Sequence, residues 1–344
     1  MKALIGMSGG VDSSVAALLM REAGHECVGC TVNFHRNLSH ARDIADARAV
    51  AEKIGIDFFT RDFFSEFENT VIKSFIESYE KGLTPNPCFV CNRYTKFECL
   101  ISLLDELGLD KVVSGHYARL EYEGGRYVIK RAADETKDQS YMLASLTQRQ
   151  LSRIVFPLGC YTKDEIRKIA EREGLVNSNK PDSQDICFIP SGDYVSFIEE
   201  YVGRKCESGS FIDKDGKILG THRGAIAYTI GQRKGLGIAS DAPLYVTKID
   251  TGANTVTLGR ESDLYSREFY VKDFNPVAIS RIDAPLRAEV KVRYRQKAAP
   301  ALVTPLDDGR LAVCFDEPVR AITGGQSAVI YDGERVIGGG EVEV

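Results

Sequence analysis

The 344-residue chain has no tryptophan, and nowhere does it hold an apolar run of about 18 residues, the least a membrane-spanning helix needs. No membrane partner is therefore expected. It also lacks an excess of basic residues: 44 Lys and Arg stand against 49 Asp and Glu, a formal net charge of −5. That balance excludes a generic polyanion binder and confines any nucleic-acid contact to local basic patches. Nine cysteines, an odd number scattered along a long chain, do not form the spacing pattern of a secreted disulfide scaffold. The N-terminal run is broken by Ser8, Gly9, Gly10 and Asp12 and has no signal-cleavage pattern. A cytoplasmic protein with reduced thiols is expected. Internal repeats and low-complexity stretches are missing too.

What is present suits a soluble globular protein: 43% hydrophobic and 27% charged residues, with length for roughly two to three domains. Up to about residue 115, short apolar runs (3–7, 27–32, 58–59, 111–114) alternate with helical patterns (12–22, 41–54, 63–80, 95–107). The alternation predicts an α/β fold with a doubly wound parallel sheet. Residues 145–205 read as polar and mostly helical, best at 163–173. From about 208, short alternating runs separated by Asp-Gly and Gly-Gly turns predict an all-β tail of small barrels. The expected division is 1–144, 145–205 and 206–344.

Ser8-Gly9-Gly10-Val11-Asp12-Ser13-Ser14 lies between a strand and a helix. Its glycines let backbone amides approach a pyrophosphate closely, and the helix dipole favours the anion. Ser8, Ser13 and Ser14 can add hydroxyl donors, and Asp12 can position Mg²⁺. A Walker lysine is missing, so this is not the loop of ordinary phosphoryl transfer. It resembles the PP-loop of the ATP pyrophosphatase superfamily, whose members transfer AMP to a substrate oxygen.

Further segments narrow the resemblance. They are Asn86-Pro87-Cys88-Phe89-Val90-Cys91-Asn92, Gly115-His116-Tyr117-Ala118-Arg119, Lys137-Asp138-Gln139-Ser140-Tyr141 and Asp182-Ser183-Gln184-Asp185-Ile186-Cys187-Phe188-Ile189. With them go Tyr228-Thr229-Ile230-Gly231-Gln232-Arg233-Lys234-Gly235-Leu236-Gly237 and Gly324-Gly325-Gln326-Ser327. Together they resemble, over nearly the whole chain, the bacterial tRNA-specific 2-thiouridylase (MnmA) family. The resemblance implies an enzyme that adenylates the 2-oxygen of a tRNA uridine, the wobble uridine among them, and replaces it with sulfur. It implies an ATP site at Gly6, Met7, Ser8, Gly9, Gly10, Val11, Asp12, Ser13 and Ser14, with Val32 and Gly115. Cys187 would accept a persulfide and Cys91 would release its sulfur. Asn86, Pro87 and Cys88 would surround the target base, and Lys137, Asp138, Gln139, Tyr294 and Arg295 would contact tRNA. ATP, Mg²⁺, tRNA and a sulfur donor (a persulfide carrier or sulfide) are the implied partners. The chemistry agrees: oxygen must become a leaving group, and a thiolate or persulfide must attack.

Two departures stand out. Cys88 replaces the family's usual Asp, creating Cys-x-x-Cys. One such pair is too few for a zinc ribbon. With Cys187 it gives three thiols that a [4Fe–4S] cluster would suit, against the alternative of a tolerated substitution and an unchanged persulfide relay. Asn33-Phe34-His35-Arg36-Asn37 replaces an acidic, tryptophan-containing stretch. His116 reads as a hydrogen-bonded structural histidine, and the remaining cysteines as filler. Alternation over 289–295 predicts Lys291, Arg293 and Arg295 on one strand face, extended by Arg281, Arg287 and Lys297 into a basic strip. The rival readings are a small-molecule ATP pyrophosphatase, a noncatalytic RNA-binding paralogue, and an enzyme thiolating another RNA or nucleoside.

Overall fold

The computed structural model describes residues 1–34, 38–178, 180 and 186–344. Its first layer is a parallel sheet. Strands β1 (Lys2–Gly6), β2 (Glu26–Asn33), β3 (Asp57–Asp62) and β4 (Lys111–Ser114) lie in the order β3-β2-β1-β4. Ala3, Leu4 and Ile5 of β1 are fully buried, as a strand covered on both faces requires. One cover is α1 (Val11–Glu22) with α2 (Leu38–Ile54), packed through Val15, Ala16, Val50 and Ala51. The other is the Phe97–Glu106 helix, packed through Phe97, Leu100 and Leu104.

Two helices expected as continuous carry an interruption. A π-helical turn, Glu68–Ile72, divides the first, and another, Asn92–Lys96, precedes the second. Such wide turns mark places where a helix re-aims a side chain, commonly at functional sites.

After β4 the chain leaves the sheet as a hairpin, β5 (Arg119–Glu123) and β6 (Arg126–Lys130), and returns for β7 (Ile154–Val155) beside β4. The Lys163–Arg172 helix then packs on α1, begun by a capping box in which Thr162 and Glu165 serve each other's backbone N–H. Residues 145–205 are thus shared out: β7 and this helix join the first layer, and the Tyr194–Val202 helix leads onward.

The β-rich tail has two parts. Strands β8 (Gly209–Ile212), β9 (Ile218–His222), β10 (Tyr245–Asp250) and β11 (Thr255–Gly259) form a sheet ordered β10-β11-β8-β9. Strands β12 (Tyr265–Pro276), β13 (Leu286–Lys291), β14 (Ala299–Pro305), β15 (Leu311–Arg320), β16 (Ser327–Asp332) and β17 (Arg335–Glu343) run β12-β15-β14-β13-β16-β17, and pairing of β12 with β17 closes a barrel. The barrel bonds back to the first layer. β6 pairs with β17, and Asn275 donates to the carbonyls of Ala144 and Leu146, both at 2.9 Å.

Candidate active site

The C-terminal ends of the parallel strands open into a cavity of about 1180 Å³ that also meets the barrel. Ligands in open α/β sheets collect at this end. The turn from β1 to α1 forms one wall. Gly9 has φ +73°, and a Cβ there would lie 2.2 Å from the carbonyl oxygen of Asp43, so only glycine fits. Gly115 is equally constrained, since its Cβ would meet the backbone N of Ser13 at 2.7 Å. Ser13 Oγ donates to the Gly10 carbonyl and accepts from the Ser8 N–H, which knits the loop together.

Four side chains from further along the chain brace this loop. Lys163, nearly fully buried, donates to both Asp12 oxygens at 2.7 and 2.8 Å, and the Tyr117 hydroxyl donates to Asp12 Oδ1 at 2.6 Å. Asn177 donates to the Gly9 carbonyl and to Ser14 Oγ, both at 2.9 Å. Lys180 donates to the Gly9 carbonyl and pairs with Asp43 and Asp46 at 2.7 and 2.6 Å. The loop therefore stands in its anion-binding shape with its cations already fixed nearby.

The thiols occupy the opposite end. Asn86 caps the short Pro87–Cys91 helix by accepting from the Phe89 N–H, and it donates to Ser327 Oγ at 3.1 Å. Gln326 donates to the carbonyls of Thr84 and Pro85, so the barrel buttresses the entry to this helix. Cys91 is buried in a cluster with Phe67, Phe75, Phe188 and Ile189. Phe188 meets the rings of Phe67 and Phe75 edge-on at 5.5 and 5.3 Å. This packing brings the segment bearing Cys187 against the helix bearing Cys91, across 96 residues of sequence.

Burial pushes the Cys91 thiol up to about 12 and Cys187 up to about 11, and raises Cys88 as well. Cys187 lines the cavity and Cys88 is exposed, while protein surrounds the other sides of both; Cys91 is buried. The Lys96 ammonium pulls the other way on all three. Lys96 ends the π-helical turn after Cys91 and lines the cavity. His116 packs against Phe97 and Phe156, bonds Ser114 Oγ at 2.7 Å, and is held well below its usual range by burial. That is the environment of a structural histidine.

Models of known families cover most of the chain. A tRNA methyl transferase HUP domain matches residues 1–191, a tRNA methyl transferase PRC-barrel domain 195–260, and an aminomethyltransferase β-barrel domain 266–342. A tRNA-specific 2-thiouridylase MnmA of Acetivibrio thermocellus is 44% identical over 99% of both chains. The chain belongs to the 2-thiouridylase family. Further relatives of that name are MnmA 2 of Clostridium botulinum strain Okra (45% identical, 99% of both chains) and MnmA of Clostridioides difficile (43% identical, 99% of this chain and 98% of that one). Among solved structures, the U34-tRNA thiolase NcsA from Methanococcus maripaludis with its [4Fe-4S] cluster aligns with a TM-score of 0.38 at 21% identity, over 58% of this chain and 67% of that one.

Most residues expected for the family's ATP site line the cavity: Gly6, Met7, Ser8, Gly10, Val11, Asp12, Ser13, Val32 and Gly115. Gly9 and Ser14 do not. Ser14 is fully buried, donating to the Gly10 carbonyl and accepting from Asn177, so it supports the loop from behind. Lys137, Asp138, Gln139, Tyr294, Arg295 and Cys187 also line the cavity. Asp138 is buried and saturated by the N–H groups of Ala132 and Ser140 and the Ser140 hydroxyl, while Gln139 accepts from the Tyr117 N–H; both hold the wall in shape.

One expectation needs correction. The basic strip does not form, because β13 ends at Lys291 and residues 292–296 bend and turn. Arg293 then points inward to Thr323 Oγ1 and the Ile230 carbonyl, while Arg287 and Arg281 pair with Asp316 and Asp283. Lys291, Arg295 and Lys297 alone of that set reach the cavity. Asp12, the carboxylate expected to position Mg²⁺, is also the ion-pair partner of Lys163. Among the described residues no three His, Cys, Asp or Glu side chains are grouped to hold a metal ion. His35, Arg36 and Asn37, and Asp182 through Asp185, lie outside the described residues. Among the described residues no helix is long and apolar enough to cross a membrane.

Sequence reasoning missed Lys96, Lys163, Asn177 and Lys180. Lys96 carried a faint signal as the cation five residues beyond Cys91, and Lys180 as the one just before the Asp182 motif. Lys163 and Asn177 carried none.

Proposed function

We propose that the chain is an ATP-dependent tRNA sulfurtransferase that makes 2-thiouridine at the wobble position through two half-reactions in one cavity. In the first, O2 of the flipped uridine attacks the α-phosphorus of ATP and pyrophosphate leaves, so the oxygen becomes part of an adenylyl leaving group. The cradle of residues 8–13 takes the phosphates. Asp12 and Asp43 are the carboxylates that would share Mg²⁺ with phosphate oxygens and water, the usual way this ion is held. In the second, the Cys91 thiolate attacks the sulfur of Cys187 bearing the persulfide, hydrosulfide leaves, and it displaces AMP from C2. A Cys91–Cys187 disulfide remains for an external thiol to reduce. Tyr294, Arg295 and Lys137 hold the RNA at the mouth.

One observation carries this reading: the Phe67, Phe75, Phe188 cluster joins Cys91 to the Cys187 segment beside the cavity that the phosphate loop lines. A small-molecule ATP pyrophosphatase has no use for that pair. The purified protein, given unmodified tRNA, ATP and a persulfide donor, should form AMP, pyrophosphate and 2-thiouridine in equal amounts. Asp12→Asn should abolish all three. Cys91→Ser and Cys187→Ser should lower thiolation by roughly three orders of magnitude or more while AMP formation continues. ADP as the product would contradict the reading.

A further inference from the structure

Neither half-reaction uses the run Thr229-Ile230-Gly231-Gln232-Arg233-Lys234-Gly235-Leu236-Gly237, which leads into β10. Its base is rigid. The Gly231 N–H donates to the Val246 carbonyl at 2.8 Å and the Val246 N–H to the Gln232 carbonyl at 3.0 Å. The Gln232 side chain braces the run internally, accepting from the Thr229 N–H at 3.1 Å and donating to the Lys234 carbonyl at 3.0 Å. Leu236 is buried in the core of its own sheet. The tip is open: Arg233, Lys234, Gly235 and Gly237 are exposed, and the two glycines have φ of +79° and +67°.

The tip is also unsatisfied. Among the described residues no acceptor takes the backbone N–H of Arg233, Lys234, Gly235 or Gly237. Neither cation forms an ion pair there, although Arg281, Arg287, Arg310 and Arg320 each have a carboxylate. Solvent-facing amides on a braced glycine turn, beside two cations without ion pairs, offer the donors that an oxyanion takes. The base is tied to the catalytic cavity as well. Arg293 donates to the Ile230 carbonyl at 3.1 Å and Arg320 to the Gly231 carbonyl at 3.4 Å, and Arg293 immediately precedes the cavity-lining pair Tyr294 and Arg295. The base of the loop is thus bonded to the turn that faces the substrate.

We propose that this loop is a second RNA site, binding backbone phosphates of the tRNA outside the flipped nucleotide and setting the angle at which the RNA enters. It rests on the reading of the chain as a tRNA-thiolating enzyme. Contacts of this kind position without reading sequence. The same chemistry would accept free phosphate, so the test separates the two.

The full-length protein and an Arg233→Ala/Lys234→Ala variant are titrated with substrate tRNA at several salt concentrations, and each is melted with and without inorganic phosphate. The variant should bind more weakly across all tRNAs, with a salt slope lower by about two, one per lost phosphate contact. An unchanged affinity and slope would overturn the proposal. So would an unchanged slope together with phosphate that stabilises the wild type but not the variant, the mark of a free-phosphate site. Failure of the wild type to bind tRNA at all would instead strike the functional reading beneath it.

Discussion

At one end of the cavity the phosphate loop is locked by polar contacts from afar: Lys163 on Asp12, Asn177 on Gly9 and Ser14, Lys180 on Gly9, Asp43 and Asp46. At the other end Cys91 is walled by Phe67, Phe75 and Phe188, with Lys96 the cation that reaches all three thiols. The first region is organised for charge before nucleotide arrives, so little reorganisation is left for the adenylation step. In the second, burial favours the protonated thiols and the Lys96 charge opposes it. An adenylated uridine would be exposed to stray attack if a free thiolate stood ready beside it, and the apolar wall also limits water.

The comparison breaks first at Lys163. Removing it leaves Asp12 without its ammonium partner in a largely enclosed site, whereas a cation taken from the thiol end leaves no buried charge behind. Lys163→Met should lower stability by about 2–3 kcal/mol and raise the KM for ATP; denaturant unfolding and pyrophosphate release measure the two. An unfolding midpoint unchanged by the substitution would mean that the cradle is not held by this pair.

A smaller effect sharpens the thiol end. A raised thiol pKa lowers the thiolate fraction at any pH beneath it, so Cys91 and Cys187 should be alkylated by iodoacetamide at pH 9 at least about tenfold more slowly than free cysteine. Lys96→Met removes the opposing charge and should slow alkylation a further few-fold, with Lys96→Arg restoring it. Mass spectrometry of the two peptides gives the rates. Free-cysteine rates at both positions would show that burial does not control them.

Much of this was legible in the sequence where it depended on local pattern. The strand, SGGVDSS turn and helix announce an anion site, and alternating runs with Asp-Gly turns announce the barrel. The hairpin β5–β6 was missed because, although local, it pairs with β17 some 200 residues later. The strip of arginines misled because strand periodicity was extended past Lys291, where the chain turns. Lys163 and Asn177 reach Asp12 and Gly9 across 151 and 168 residues, and no spacing rule spans that distance. The thiol pair was suggested by family resemblance and chemistry, and only packing through Phe188 brings its segments together.

The central claim is that sulfur passes between Cys187 and Cys91 as persulfide, with Cys88 a bystander to the bond changes. The direct measurement is anaerobic purification of the wild type and Cys88→Ser, with iron and labile sulfide determined alongside 2-thiouridine formation. The account predicts iron-free protein that thiolates tRNA, and a Cys88→Ser variant only modestly slower. An inactive apo-protein restored by iron and sulfide, with Cys88→Ser losing metal and activity together, would contradict it.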